Sequence, residues 1–296
     1  MNVGIAGTGR MGAAIATRLL GQGHAVTVWN RTPAKLAPLV TAGAKAAESP
    51  AALAAASEAI ITILTDAAAI DATYGGTAGL LAGDVKGKLF IEMSTVQPET
   101  EQALAGKVRA RGAAIVECPV GGSVGPARDG KLFGFVGATD ADFARARPLL
   151  GEMCRRIEHV GPVGAGARMK LAINLPLLVY WQSFGEALAL VQPLKLDPKR
   201  VIDIFADTSG GPNVLKARGS VVAAALEGKD PGPGGFDIDG MRKDLRTMLA
   251  AGEALGVEMP VTARALEAFE QAAAAGFGKR DGTTWPAHWA LHGGLR

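Results

Sequence analysis

Residues 2–35 read NVGIAGTGRMGAAIATRLLGQGHAVTVWNRTPAK, and this stretch decides the fold. A short apolar run, a glycine turn, a helix-patterned segment and a second apolar run follow one another, which predicts strand, turn, helix and strand. Gly7, Gly9 and Gly12 form G-x-G-x-x-G. In a dinucleotide-binding turn the first glycine permits the sharp bend, the second lets backbone amides approach a pyrophosphate, and the third lets helix pack on strand. The helix start then attracts the phosphate charge. In a chain with 40 glycines the pattern alone is weak, and its place between a strand and a helix gives it meaning. Gly7, Thr8, Gly9, Arg10, Met11 and Gly12 are therefore assigned to cofactor binding.

The second strand ends at Asn30, followed by Arg31 and Thr32. An acid there would accept hydrogen bonds from the ribose 2′-hydroxyl of NAD, whereas a guanidinium beside a hydroxyl suits a 2′-phosphate. NADP(H) is the preferred cofactor; the alternative is that Arg31 is a solvated loop cation. Lys35 belongs to the exposed face of the next helix.

Outward from this stretch the alternation continues: a helix near 50–57, a strand at 59–66, a helix at 67–73, a strand at 88–95, a helix from Pro98 and a strand at 113–120. LFGFVGA (132–138) and RRIEHVGPVG (155–164) add two strands. Strands alternating with helices imply an α/β fold with a parallel, doubly wound sheet. Ligands on such sheets lie beyond the carboxyl ends of the strands, which makes Leu64, Thr65 and Thr95 further cofactor candidates. The loop PVGGSVGPARDGKL (119–132) presents successive backbone amides at Val120, Gly121, Gly122 and Ser123, able to hold a carboxylate; a plain hairpin entry is the other reading.

The second half opens GPVGAGARMK (161–170) and runs on as LAINLPLLVYWQSFGEALALVQ (171–192), too long and apolar for a strand. Lys170 is the only charged residue between Arg168 and Glu186, and Asn174 follows one helical turn later on the same face. The pair is the candidate catalytic centre. Burial lowers a lysine's pKa toward the range of proton exchange; alternatively Lys170 snorkels to solvent from the first turn. Beyond it the pattern is helical: a capped helix from Asp197-Pro198, a break at 209–213, a loop at 228–235, and helices at 236–256 and 259–278. Phe236, Lys243 and Asp244 can reach a cleft, although a solvated helix face explains Lys243 nearly as well. The domains are placed at 1–162, a Rossmann-type domain, and 163–296, all helical.

With 296 residues, 48% of them hydrophobic, the chain can build two cores. Its net charge of +3 is spread without blocks, so neither nucleic acid nor a membrane surface is expected as a partner. Cys118 and Cys154 are too few for a disulfide framework and lack metal-ligand spacing. A cytoplasmic location without a signal segment, and no metal, are expected. His24, His159, His288 and His292 stand singly, and neither a nucleophile elbow nor an internal repeat is present.

Taken in order, GIAGTGRMG (4–12), STVQP (94–98), ECPVGGSVGPARDGKL (117–132), GAGARMKLAIN (164–174) and MRKDL (241–245) resemble the β-hydroxyacid dehydrogenase family, over essentially the whole chain. The resemblance implies an N-terminal Rossmann domain and a helical C-terminal domain joined by a long helix. It implies Lys170 as the catalytic lysine with Asn174 orienting substrate, residues 120–123 around the substrate carboxylate, Thr95 near the nicotinamide, and Lys243 near the cofactor. The substrates it implies are small 3-hydroxy acids and aldehyde acids such as glyoxylate or succinic semialdehyde, handled with NADP(H) by a homodimer or homotetramer. Three departures bear on substrate shape: the usual P-V-S-G-G reads Pro119-Val120-Gly121-Gly122-Ser123, the frequent double asparagine is Ile173-Asn174, and Pro176 removes one N–H from the long helix, which should kink it. Rival readings are an imine reductase of the same architecture, against which Lys170 argues, and a non-catalytic nucleotide-binding module.

Overall fold

The computed structural model describes residues 1–232 and 234–292. Pro233, within the loop expected at 228–235, and residues 293–296, within the helical domain expected to reach 296, lie outside the described residues. The chain divides into two compact units, Met1–Leu171 and Ala172–Arg296.

In the first unit six strands, β1 (Asn2–Ala6), β2 (Ala25–Trp29), β3 (Lys45–Ala46), β4 (Ala59–Thr62), β5 (Leu89–Glu92) and β6 (Ala114–Glu117), pair in the order β3-β2-β1-β4-β5-β6, all parallel. This is the dinucleotide-fold order, with its switch point at β1 and β4. Helices α1 (Arg10–Gly21), α2 (Ala37–Thr41), α3 (Pro50–Ala55), α4 (Ala67–Tyr74) and α5 (Pro98–Ala110) lie in the connections between the strands. Alternate strand residues feed two cores. Val3, Ile5, Val28, Ile61, Ile91 and Val116 pack with Ile15 and Leu19 of α1, while Ile60, Phe90 and Ile115 pack with Leu53, Ile70, Leu104 and Val108. Each such buried side chain contributes about 1.5–3 kcal/mol, and a sheet apolar on both faces is what helices on both faces require.

After β6 the chain departs from the parallel pattern. The strand expected at 113–120 is split into β6 and β7 (Val120–Gly121), because Pro119 between them has no N–H to give a ladder. A five-residue helix, α6 (Val124–Arg128), leads to β8 (Leu132–Gly137), which pairs antiparallel with both β6 and β7. Such a connection is too short for a parallel crossover, so the sheet is mostly rather than wholly parallel. The sequence reading assigns no element to 140–153; α7 (Asp140–Met153) stands there, capped by the Thr139 hydroxyl, and returns the chain to β9 (Cys154–Gly161), parallel to β8.

The long helix α8 (Ala165–Val191) starts in the first unit and continues in the second. It runs through Pro176 without ending: the proline costs one N–H bond, and the turns on either side keep theirs. The second unit adds α9 (Pro198–Ala206), α10 (Asn213–Leu226), α11 (Ile238–Ala254), α12 (Pro260–Ala272) and α13 (Trp285–His292). Asp197 and Asp237 cap α9 and α11 through the amides of Arg200 and Gly240. The buried side chains of this unit include Phe184, Leu215, Val222, Leu245, Phe269 and Trp285, and the Trp285 indole donates to Gln182 Oε1 at 2.7 Å. Among the described residues no helix is long and apolar enough to cross a membrane.

Candidate active site

The glycine turn is built as its spacing requires. Gly7 has φ +97°, a conformation that L side chains resist, and a Cβ there would overlap the Ile63 carbonyl. A Cβ on Gly12 would overlap the Gly7 carbonyl, so only glycine lets α1 lie this close to β1. At Gly9 a Cβ would meet nothing within 4 Å, and no side chain caps α1. The first amides of this twelve-residue helix have no side-chain cap, and the buried Thr8 hydroxyl has no partner among the described residues. These groups fit a bound pyrophosphate. Asn30 braces the turn: its Oδ1 accepts from Thr8 N at 3.2 Å and its Nδ2 donates to the Thr32 carbonyl at 3.1 Å. Arg31 and Thr32 stand exposed, as does Arg10 at the start of α1, and Met11 is half-buried.

The ends of β4 and β5 are tied together beside it. Leu64 N donates to Ser94 Oγ at 2.8 Å, Ser94 N donates to Glu92 Oε2 at 2.8 Å, and the Ser94 hydroxyl donates to Glu92 Oε1. Glu92, wholly buried, thus fixes the turns that carry Leu64, Thr65 and Thr95. Glu101, in the first turn of α5, is also buried. Neither Glu101 oxygen has a hydrogen-bond partner among the described residues. Burial, then the charge of Glu92, pushes the Glu101 carboxyl well above the usual range; burial raises Glu92 as well.

Along the same edge, Val120 and Gly121 pair with Gly134 and Phe133 of β8. The run of open amides expected at 120–123 is therefore shorter than the sequence suggests, since β7 commits part of it to the sheet. Gly122, at φ +121°, and Ser123 are the exposed members, and the Ser123 side chain makes no capping bond to α6.

Lys170 is half-buried in α8, one turn beyond Gly166. Where that helix begins, Glu117 Oε1 accepts from Gly164 N at 2.7 Å and from Gly166 N at 2.6 Å. In the second unit, Asp244 joins two residues picked out from sequence: its Oδ2 accepts from Asn174 Nδ2 at 3.2 Å and its Oδ1 pairs with Lys243 Nζ at 2.5 Å. The Phe236 ring lies against Gly240 in the first turn of α11.

Residues 2–161 match the family model for the NAD binding domain of 6-phosphogluconate dehydrogenase, and residues 164–287 match the model for the NAD-binding domain of NADP-dependent 3-hydroxyisobutyrate dehydrogenase. Glyoxylate/succinic semialdehyde reductase 1 of Arabidopsis thaliana is 35% identical over 95% of this chain and 96% of its own length. The 3-hydroxyisobutyrate dehydrogenase of Pseudomonas aeruginosa is 35% identical over 90% of this chain and 91% of its own. The solved structure of Psf3 in complex with NADP+ and 2-OPP superposes with a TM-score of 0.87 at 27% identity, covering 97% of this chain and 99% of that one. The chain belongs to the β-hydroxyacid dehydrogenase family.

As a β-hydroxyacid dehydrogenase it is an oxidoreductase that uses a nicotinamide cofactor. Among the described residues no group of three or more His, Cys, Asp or Glu side chains is arranged to hold a metal ion. What sequence reasoning missed in this dehydrogenase is the set of buried acids. Glu92 and Glu117 each close an otherwise apolar strand, LFIE and AIVE, and stand opposite one another in register. A glutamate ending two consecutive buried strands was the available signal.

Proposed function

We propose that the protein reduces a short aldehyde acid of the glyoxylate or succinic semialdehyde class, or oxidises the corresponding small hydroxy acid, with NADP(H). The observation that carries the reading is the sharing of one sheet edge: the glycine turn, the turns at Leu64 and Thr95 and residues 120–123 follow the carboxyl ends of β1, β4, β5 and β6, and the start of the Lys170 helix is bonded to Glu117 at the end of β6. The turn at 7–12 would hold the pyrophosphate, with Arg31 and Thr32 on the 2′-phosphate, Leu64, Thr65 and Thr95 along the nicotinamide half, and Lys243 against the cofactor. When bound, the cofactor supplies the hydride. Lys170 gives its proton to the carbonyl oxygen in reduction, and takes the hydroxyl proton in oxidation. Asn174, steadied by Asp244, orients the substrate, and Gly122 and Ser123 receive its carboxylate. Two buried free thiols, Cys118 and Cys154, agree with a reducing, cytoplasmic setting.

The test is NADPH and NADH oxidation across a panel of short aldehyde acids, simple aldehydes and a cyclic imine. Turnover of an aldehyde acid with NADPH preferred is expected. Turnover confined to the imine would favour an imine reductase, and tight NADPH binding without turnover on any substrate would favour a non-catalytic module.

A further inference from the structure

Glu117 is fully buried, and a buried carboxylate is costly unless its oxygens are engaged. One oxygen accepts from Gly164 N and Gly166 N, with the Ala167 amide turned to the same carboxyl; the other, Oε2, has no partner among the described residues. The bonded groups are amides at the start of α8, which a helix leaves without internal partners. Glycines make the approach possible. A Cβ on Gly137 would overlap the Glu117 carboxylate, Gly164 has φ +101°, and a Cβ on Gly166 would overlap the Phe135 carbonyl and lie 3.1 Å from Glu117 Oε1. The carboxylate thus passes over β8 into a cradle that admits no side chain. Lys170 follows Gly166 by four residues in a hydrogen-bonded helix, so the place of that first turn sets the place of the lysine.

We propose that Glu117 is a positioning residue for Lys170, holding the first amides of α8 and so fixing where the lysine stands relative to the sheet edge. The inference rests on the reading of Lys170 as proton donor. A misplacement of about 1 Å in a reacting group costs up to roughly 100-fold in rate. Glu117→Leu, which removes the acceptor at similar volume, therefore lowers kcat by about 10- to 100-fold and leaves the NADPH Kd unchanged within about twofold. Glu117→Gln keeps Oε1 and so keeps kcat within about threefold of the parent. In the cofactor-free protein, hydrogen exchange at the Gly164 and Gly166 amides is slow in the parent and the Gln variant and fast in the Leu variant. The decisive arm is a double-mutant cycle with Lys170→Met. If Glu117 acts through Lys170, adding Leu at 117 to the Met variant lowers kcat no further; a merely structural Glu117 multiplies the two losses.

Parental kcat in Glu117→Leu, multiplying losses, or a Gln variant as slow as Leu with its glycine amides still protected would each overturn the proposal. Should the Leu variant not fold, Glu117→Asp, which withdraws the acceptor by one methylene, carries the same expectations. Normal turnover in Lys170→Met overturns the lysine assignment and this inference with it. A crippled Met variant beside an active Leu variant overturns this inference alone.

Discussion

At the scale of single residues, the proposed preference for NADP(H) rests on Arg31. It stands exposed after β2 with Thr32 beside it and no acid where NAD would need one, while Asn30 is occupied in bracing the turn. Arg31→Asp exchanges a charge-assisted partner of a 2′-phosphate for an acceptor of a 2′-hydroxyl. A charge-assisted hydrogen bond is worth about 1.5–3 kcal/mol, so the NADPH-to-NADH ratio of kcat/KM should fall by about 10- to 100-fold. An unchanged ratio would show that Arg31 is a solvated cation. The reading of Arg31 rests on a local signal, a residue type at a set distance from a glycine turn. Glu117 and Asp244 were not legible in their roles. The first matters because β6 brings it under the start of α8, and the second because it meets Asn174 from seventy residues away; neither meeting has a sequence period.

At the scale of elements, strands and helices with clean periodicity were readable, β8 and β9 among them, while the division of β6 from β7 and the helices α6 and α7 were not. Pro119 divides one apolar run into two strands, and a short helix replaces an expected loop, so the amides offered to a carboxylate are fewer than the composition of 119–132 suggests. The buried acids give these elements a pH dependence. Burial pushes the Glu117 carboxyl from its ordinary 4.5 up to about 7, against the pull of the α8 amides; Glu92 on β5 adds to the rise, and Glu101 on α5 and Cys118, the next residue along the chain, face the same cluster. Between these values the native state binds a proton that the unfolded chain has lost. Stability contributed by this group is therefore complete below about pH 4.5 and is lost as pH rises through about 7. The effect is at most about 3 kcal/mol. Urea midpoints measured from pH 5 to 8 should fall with rising pH, and Glu117→Gln should flatten that fall; an identical slope in the variant would remove Glu117 as its source.

At the scale of the whole molecule, the second unit exposes Leu190, Leu194, Ile204, Leu255, Val257 and Val261, each close to half accessible or more. Apolar surface of that extent suits association, and closed two-fold pairing is its commonest form. Light scattering at micromolar concentration should give a dimer or tetramer, and a strictly monomeric species would contradict this. The proposed proton donor, Lys170, lies on α8 at the end of the first unit. The most direct measurement is turnover of Lys170→Met with NADPH and the best aldehyde acid, taken with its melting temperature. Methionine keeps most of the apolar stem and removes the proton. The account predicts that kcat falls by roughly 10²- to 10⁴-fold while the protein remains folded and binds NADPH, the usual worth of a positioned acid. Near-parental turnover in that variant would mean that the proton comes from another group, and the catalytic assignment would be wrong.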